Sequence, residues 1–308
     1  MTLGNIAFLG CGSWGGALGQ VIAKKGIPIT MWHRKQAIVQ LLTETRSHYL
    51  VPSLTFPDNV VFTSNIYEAI HGTDIIILAL PSQSIRGLLQ SYKEIWREYH
   101  TFVNVSKGIE IDTLMTISEV IKDVMGDTYT KIATLSGPSH AEEVIEGHPT
   151  TLVSASPNTE VACAVQKLFC NETLRTYVNA DIIGVELGGS MKNVIAIASG
   201  IIDGLGYGDN TKAALLTRGL TEISRLGVAM GGSIKTFSGL SGIGDLIVTC
   251  FSKHSRNRFV GEEIGQGKSL TEILKEMSMV AEGVNTAESV YALSEKYRVS
   301  MPISHAVH

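Results

Sequence analysis

The stretch 5–16, Asn-Ile-Ala-Phe-Leu-Gly-Cys-Gly-Ser-Trp-Gly-Gly, narrows the folds open to this chain more than any other. Ile6 to Leu9 is an apolar run of strand length, and Gly10-Cys11-Gly12-Ser13-Trp14-Gly15 spells G-x-G-x-x-G. From Trp14 to Lys25 the residues Ala17, Leu18, Val21 and Ile22 recur on one helical stripe, and Gly26 follows as a stop signal. Strand, glycine turn and helix in that order are the context a dinucleotide-binding turn requires. Gly10 would permit the tight turn, Gly12 the approach of a pyrophosphate, and Gly15 the close packing of helix on strand. The helix N-terminus would offer free N–H groups and partial positive charge to the phosphates. Alone, the motif is weak in a chain with 31 glycines, where a tight turn without a ligand is the plainer alternative. Its flanks favour a nucleotide.

At 308 residues there is chain enough for about two domains of ordinary size. A hydrophobic share of 44% against 18% charged residues indicates a large core. The net charge of −4 argues against a polybasic surface, so neither nucleic acid nor an anionic membrane is an expected partner. Positive charge for any anionic ligand must therefore be gathered locally. Cys11, Cys163, Cys170 and Cys250 show no C-x-x-C or zinc-type spacing, which fits reduced thiols in a cytoplasmic protein. Met1-Thr2-Leu3-Gly4 lacks the basic region of a signal peptide. The most apolar stretch, Val194 to Ile202, falls far short of the ~20 residues that span a bilayer.

Further strands are expected at Ile27–Trp32, Val60–Thr63, Asp74–Leu80, Thr101–Val105, Lys131–Leu135, Thr150–Ala155 and Leu174–Val178. Helices are expected at Gln36–Thr45, Asn65–His71 and Asn158–Phe169, with Ser82 capping another. The unbroken apolar run after Asp74 suits a parallel strand covered on both faces. This alternation specifies an α/β fold with an N-terminal Rossmann-type, doubly wound sheet. Beyond residue 180 only helical patterns appear, at 181–203, 210–230, 256–264 and 283–297. The expected division is a dinucleotide-binding domain over 1–180 and an all-helical domain over 181–308. Ligands of such sheets bind outside the strand C-termini. That rule selects His33, Arg34, Pro81, Ser106, Lys107 and the turn Gly137-Pro138-Ser139.

His33 and Arg34 lie ~20 residues past the glycine turn, where NAD-specific folds place an acidic residue for the ribose hydroxyl. A basic pair there suits a 2′-phosphate, so NADP is expected alongside NAD. Lys107 follows a strand in Ser-Lys-Gly, which would aim it into the cleft. Lys192 sits in the apolar helix Glu186-Leu-Gly-Gly-Ser-Met-Lys-Asn-Val-Ile-Ala-Ile197. A lysine in such a helix usually snorkels to the surface; Asn193 beside it and apolar residues on every face after it count against that. Ser255 is a natural N-cap for the helix 256–264. Its first turn would bring N–H groups and the Arg256 fork onto a phosphate, or be an ordinary capped turn with a surface arginine. None of the nine histidines has metal-ligand spacing, so no metal is expected. His140 is the one histidine near a site loop, with no partner carboxylate evident.

Together these segments make the chain similar to the bacterial NAD(P)-dependent glycerol-3-phosphate dehydrogenases over nearly its whole length. The matching motifs are Gly10-Cys-Gly-Ser-Trp-Gly15, His33-Arg34, Ser106-Lys-Gly108 and Ser136-Gly-Pro-Ser139. In the second half they are Lys192-Asn-Val-Ile-Ala196, Gly239-Leu-Ser-Gly-Ile-Gly-Asp245, Ser255-Arg-Asn257 and Val280-Ala-Glu-Gly283. Eight motifs in order are specific where each alone is not. The resemblance implies interconversion of dihydroxyacetone phosphate and sn-glycerol 3-phosphate, feeding phospholipid synthesis. It implies that Gly10, Gly12, Ser13, Trp14, Gly15, His33 and Arg34 contact the dinucleotide. Ala141, Val280 and Glu282 would join them, with Lys107 and Arg256 touching both ligands. Gly137, Ser139, Asp245, Ser255 and Asn257 would complete the substrate site, and Lys192 would bind substrate and accept the proton in alcohol oxidation. Lys107 and Arg256, as like charges, would lower the Lys192 pKa. The sequence ends at His308, sooner than members of that family usually do, and a homodimer is left open.

Two rivals remain at this level. A 3-hydroxyacid or 6-phosphogluconate-type dehydrogenase also joins a Rossmann domain to a helical domain bearing a lysine. Such a carboxylate substrate would not need Asp245 and the Ser255-Arg256-Asn257 terminus. A non-catalytic NADP-binding regulator would have no need of Lys107 and Lys192 together.

Overall fold

The computed structural model describes residues 5–277 and 280–308; the opening Met1-Thr2-Leu3-Gly4 lies outside them. Its first half alternates strands and helices: β1 (Asn5–Leu9), α1 (Ser13–Ala23), β2 (Ile29–Trp32), α2 (Gln36–Thr45), β3 (Val60–Thr63), α3 (Ile66–Ile70), β4 (Thr73–Leu78) and α4 (Ile85–Ser91). Then come β5 (Thr101–Asn104), α5 (Ile117–Met125), β6 (Ile132–Ser136), α6 (Ala141–Glu146), β7 (Thr150–Ala155), α7 (Thr159–Phe169) and β8 (Leu174–Asn179). The remainder is helical: α8 (Ile182–Gly204), α9 (Asp209–Ala229), α10 (Ile234–Phe237), α11 (Asp245–Phe251), α12 (Arg256–Gly265), α13 (Leu270–Glu276), α14 (Glu282–Tyr297) and α15 (Pro302–Val307).

The eight strands form one sheet in the order β3-β2-β1-β4-β5-β6-β7-β8. The chain winds outward from β1 to β3, then crosses to β4 on the other side, so the switch point lies between β1 and β4. Strand pleating explains why both faces are buried. Ile6 and Phe8 of β1, with Ile75 and Ile77 of β4, join the core beneath α1. Ala7 and Leu9, with Ile76 and Leu78, join the core on the opposite face. Each such side chain contributes about 1.5–3 kcal/mol on burial, which favours this register over a one-residue slip.

The order matches a doubly wound sheet except at β6 and β7, which pair antiparallel. A parallel return needs a crossover of about a dozen residues or more. The six-residue α6 does not carry the chain back along the sheet, and β7 begins beside the end of β6, with Val153 opposite Ser136. The strand expected over Asp74–Leu80 ends at Leu78. Ser82 does not cap a helix: its turn has no side-chain cap, and its hydroxyl is used elsewhere.

The helix containing Val194–Ile202 is longer than its most apolar stretch suggested. At 23 residues α8 is long and apolar enough to cross a bilayer, as is the segment 234–251. However, 94% of the apolar window in α8 is buried inside the protein. Glycines let α12 lie directly on it. A Cβ on Gly200 would stand 1.9 Å from the Arg258 carbonyl oxygen, and one on Gly261 would stand 2.0 Å from that of Ile197. Both obstacles are backbone, so neither can turn aside. Gly200→Ala is therefore expected to destabilise by about 1–3 kcal/mol through overpacking, read as a lower urea midpoint; an unchanged midpoint would show that the helices can separate freely.

Candidate active site

The glycine turn follows β1 at the switch point. Gly10 has φ 108°, and a Cβ there would fall 2.3 Å from the Ala79 carbonyl oxygen just past β4. Conformation and space both demand glycine. At Gly15 a Cβ would lie 2.6 Å from the Gly10 carbonyl oxygen, so helix and strand touch through backbone. Gly12 is different: a Cβ on it would meet nothing within 4 Å, leaving the N-terminus of α1 open on that side. No acidic residue occupies the first turn of α1. Ser13 is buried and Trp14 half-buried, with the indole Nε1 buried and unpartnered among the described residues. Open N–H groups, a bare cradle and an orphaned donor fit an anionic dinucleotide.

Beyond β2, Arg34 is exposed. The His33 Nδ1 accepts a hydrogen bond from the Lys35 N–H, and burial holds its imidazole below the ordinary pKa. Its ring meets the Tyr49 ring edge-on at 5.8 Å. The segment carrying Tyr49 is fastened by a histidine that sequence reasoning missed. His48 Nδ1 accepts from the Leu50 and Val51 N–H groups, and its Nε2 lies 3.1 Å from the Cys11 carbonyl oxygen. With Nδ1 accepting, Nε2 carries the proton and donates to the glycine turn.

The second cluster lies past β5 and β6, against α8. Lys192 is buried at 5% exposure; its Nζ donates to Asp245 Oδ1 and to Thr249 Oγ1, both at 2.5 Å. Lys107 Nζ donates to the other Asp245 oxygen at 2.7 Å and to the Gly137 carbonyl at 3.1 Å. Ser139 Oγ donates to that same carbonyl. One carboxylate from α11 thus joins a lysine from a strand end to a lysine from the core helix. Gly189 permits this approach, since a Cβ there would lie 2.6 Å from Ser136 Oγ and 3.7 Å from Lys107 Cγ.

Burial lowers the Lys192 pKa to about 8; Asp245 opposes the shift and Lys107 assists it. The expectation that Arg256 shares in this is corrected. Burial lowers the Arg256 pKa too, and the charges that act on it are Glu142 and Glu282. Its Nη1 donates to the Val280 carbonyl at 3.0 Å. The depression of Lys192 is chiefly a desolvation effect.

Ser255 caps α12 as expected, accepting from the Arg258 N–H. Asn257 Oδ1 accepts from the Gly283 N–H at 2.9 Å, which ties α12 to the start of α14. Glu282 accepts from the Ser82 N–H at 3.0 Å and from its hydroxyl at 2.6 Å, and burial raises its pKa. Gly108 fits beneath this pair, for a Cβ there would lie 2.3 Å from Ser82 Oγ. Val280 is exposed and Ala141 buried. His140 precedes α6 with Nε2 buried and unpartnered among the described residues. Burial first, then Lys192 and Lys107, lower its pKa. Among the described residues no group of three His, Cys, Asp or Glu side chains could hold a metal ion.

The site residues therefore fall into three groups along the C-terminal edge of the sheet. These are the glycine turn, the two lysines on Asp245, and the Ser82–Glu282 pair with Arg256, whose charge acts on Glu282. Thr249 was missed, although its spacing of four from Asp245 puts both on one helical face.

Family models of the NAD-dependent glycerol-3-phosphate dehydrogenase N-terminus and C-terminus match residues 5–162 and 181–308. A protein of Bacillus velezensis named glycerol-3-phosphate dehydrogenase [NAD(P)+] is 50% identical over 306 residues, 99% of this chain and 89% of that one. One of the same name from Chlorobium limicola is 48% identical over 99% of this chain and 92% of its own. The crystal structure of glycerol-3-phosphate dehydrogenase from Coxiella burnetii superposes with a TM-score of 0.95 at 34% identity, covering 99% and 93% of the two chains. D-mandelate dehydrogenase with NADH shares the fold at TM-score 0.65 and 14% identity.

Proposed function

The chain belongs to the NAD-dependent glycerol-3-phosphate dehydrogenase family, and we propose that its reaction takes place where Lys107 and Lys192 meet on Asp245. The enzyme interconverts dihydroxyacetone phosphate and sn-glycerol 3-phosphate with NAD(P)H. The observation that carries the site is the shared carboxylate, 2.5 Å from one lysine and 2.7 Å from the other.

The bound nicotinamide supplies or receives the hydride at the substrate carbon. Lys192, as ammonium, gives a proton to the ketone oxygen as it becomes an alkoxide. In alcohol oxidation the neutral amine takes that proton back, and a pKa of about 8 lets it serve both ways near neutrality. Asp245 and Thr249 hold the nitrogen at the reacting atoms. Lys107, beside Gly137 and Ser139, lends fixed positive charge to the developing oxyanion. At the other end Ser255 sets the first turn of α12, whose N–H groups face a phosphate together with Arg256 and the Asn257 amide. Gly200 packs on Arg258, so that turn is pinned about eight residues, or ~12 Å, along α8 from Lys192. Gripping the phosphate away from the reacting carbon would orient the ketone.

For the dinucleotide, the turn Gly10, Gly12 and Gly15 with Ser13 and Trp14 takes the pyrophosphate. His33 and Arg34 take the ribose end. Ala141, Arg256, Val280 and Glu282 close over it from the second half, with Lys107 between cofactor and substrate. The division falls at about residue 180, where β8 ends at Asn179 and α8 starts at Ile182. We place the enzyme in the cytoplasm, supplying glycerophospholipid synthesis without inserting in the membrane.

The assay is loss of reduced-nicotinamide absorbance with dihydroxyacetone phosphate, then with the oxo acids that correspond to hydroxyacid substrates, then with none. Turnover with the first alone is expected. Arg34→Ala should raise the KM for NADPH about tenfold more than that for NADH, by loss of a charge-assisted contact to the 2′-phosphate; equal effects would remove Arg34 from that role.

A further inference from the structure

Glu186, six residues before Lys192, has a side chain that the reaction above does not use. It is 5% exposed, and every group around its carboxylate is a donor. Its Oε1 accepts from Asn104 Nδ2 at 3.0 Å, from Thr134 Oγ1 at 2.8 Å and from the Ser118 N–H at 3.1 Å. Its Oε2 accepts from Ser118 Oγ at 2.6 Å. Burial raises the pKa of this carboxyl, and the bonds from Ser118, Thr134 and Asn104 oppose that rise. A solely structural anchor would need no link onward to the site, but Asn104 supplies one. Its Oδ1 accepts from the Ser106 N–H at 2.9 Å, and its Nδ2 also reaches the Ser106 carbonyl at 3.2 Å. Ser106 is the residue before Lys107, just past the end of β5, and its own hydroxyl donates to the Leu80 carbonyl at 2.6 Å, so the Asn104 link and this bond hold the loop from two sides.

The same helix face acts on the loop a second time. Residues seven apart on a helix lie on nearly one face, so Glu186 and Asn193 point the same way. Asn193 Nδ2 reaches the Lys107 carbonyl at 3.4 Å, and Gly189 between them admits the Lys107 stem. Thus α8 carries one active lysine on one face and grips the loop bearing the other lysine on another.

We propose that Glu186 is a positioning residue for substrate binding: through Asn104 it sets the Ser106-Lys107-Gly108 loop so that the Lys107 ammonium meets Asp245 and the substrate. Glu186 touches neither ligand, and its effect passes through Lys107 alone. This rests on the role given above to Lys107, and Lys107→Ala tests that role separately.

The experiment compares Glu186→Leu, Glu186→Gln, Asn104→Ala, Lys107→Ala and Glu186→Leu/Lys107→Ala. The readouts are KM for dihydroxyacetone phosphate, kcat, and the Kd for NADPH by fluorescence quenching. Glu186→Leu is expected to raise the substrate KM about tenfold and to lower kcat, because Lys107 steadies the developing oxyanion, and any change in the Kd for NADPH should be no larger than that in Lys107→Ala. Glu186→Gln keeps an oxygen for Asn104 and should restore the KM. Adding Glu186→Leu to Lys107→Ala should cost nothing further, because both act on one contact. If Glu186→Leu does not fold, Asn104→Ala cuts the link alone, and the same rise in KM is expected. Wild-type KM in a folded Glu186→Leu or Asn104→Ala overturns the proposal, as does a full additive loss in the double variant. A Lys107→Ala enzyme with normal KM would instead overturn the role of Lys107 itself.

Discussion

Lys192→Met is expected to fold, bind NADPH with unchanged Kd, and lose 10²–10⁴-fold in kcat, the range that general acid–base catalysis supplies. Methionine is chosen because the site is closed. Lys192 is 5% exposed in a helix buried along most of its length, and an alanine would leave a cavity. Removing the ammonium leaves Asp245 with its bond to Lys107, so no carboxylate is stranded. The pH dependence gives a second reading. The wild-type reduction needs the ammonium, so kcat/KM for dihydroxyacetone phosphate should fall as pH rises through about 8. Oxidation of glycerol 3-phosphate needs the free amine, so its rate should rise through the same range. Both limbs should vanish in Lys192→Met. Turnover within threefold of wild type, or surviving limbs, would take the proton away from Lys192.

The sequence allowed much of this to be read because its strongest signals are steric or periodic. The turn at Gly10 and Gly15 is dictated by contacts closer than any Cβ could make, and such positions leave glycines in the chain. The two-sided burial of β4 shows as an unbroken apolar run. What escaped was of another kind. Apolar alternation is the same in either strand direction, so the antiparallel pairing of β7 left no mark. Helices α6, α10, α11, α13 and α15 have four to seven residues, at most about two turns of the period that reveals a helix. At the site, Lys192 could be suspected as a charge in an apolar helix. Glu186 sits in that same helix with the same signature, yet its partners Asn104, Ser118 and Thr134 come from three separate elements. Nor could the cause of the Lys192 shift be read beforehand. Like charges were expected to help lower it and Lys107 does, but burial is the larger cause, and nothing in the sequence tells how completely α9, α11, α12 and α14 enclose α8.

Asp245→Asn should cost about 10²-fold or more in kcat/KM for the reduction at neutral pH, and the loss should be unequal in the two directions. Both carboxylate oxygens are engaged, one by each lysine, and an amide offers only one acceptor. The substitution therefore turns an NH₂ group toward an ammonium and leaves two cations beside one another without a counter-charge. Asp245 raises the Lys192 pKa against burial, and Lys107 lowers it. With the carboxylate gone, burial and Lys107 act downward and only Cys250, the smallest influence, opposes them, so the folded pKa is expected to drop below about 8. The ammonium needed for reduction is then depleted at neutrality, while the free amine needed for oxidation is enriched. The falling limb of the reduction profile and the rising limb of the oxidation profile should both move to lower pH. At pH 7 oxidation should consequently lose less than reduction. Equal losses with unmoved limbs would mean that Asp245 only holds the lysines in place. Movement toward higher pH would mean that the carboxylate does not stabilise the Lys192 ammonium at all.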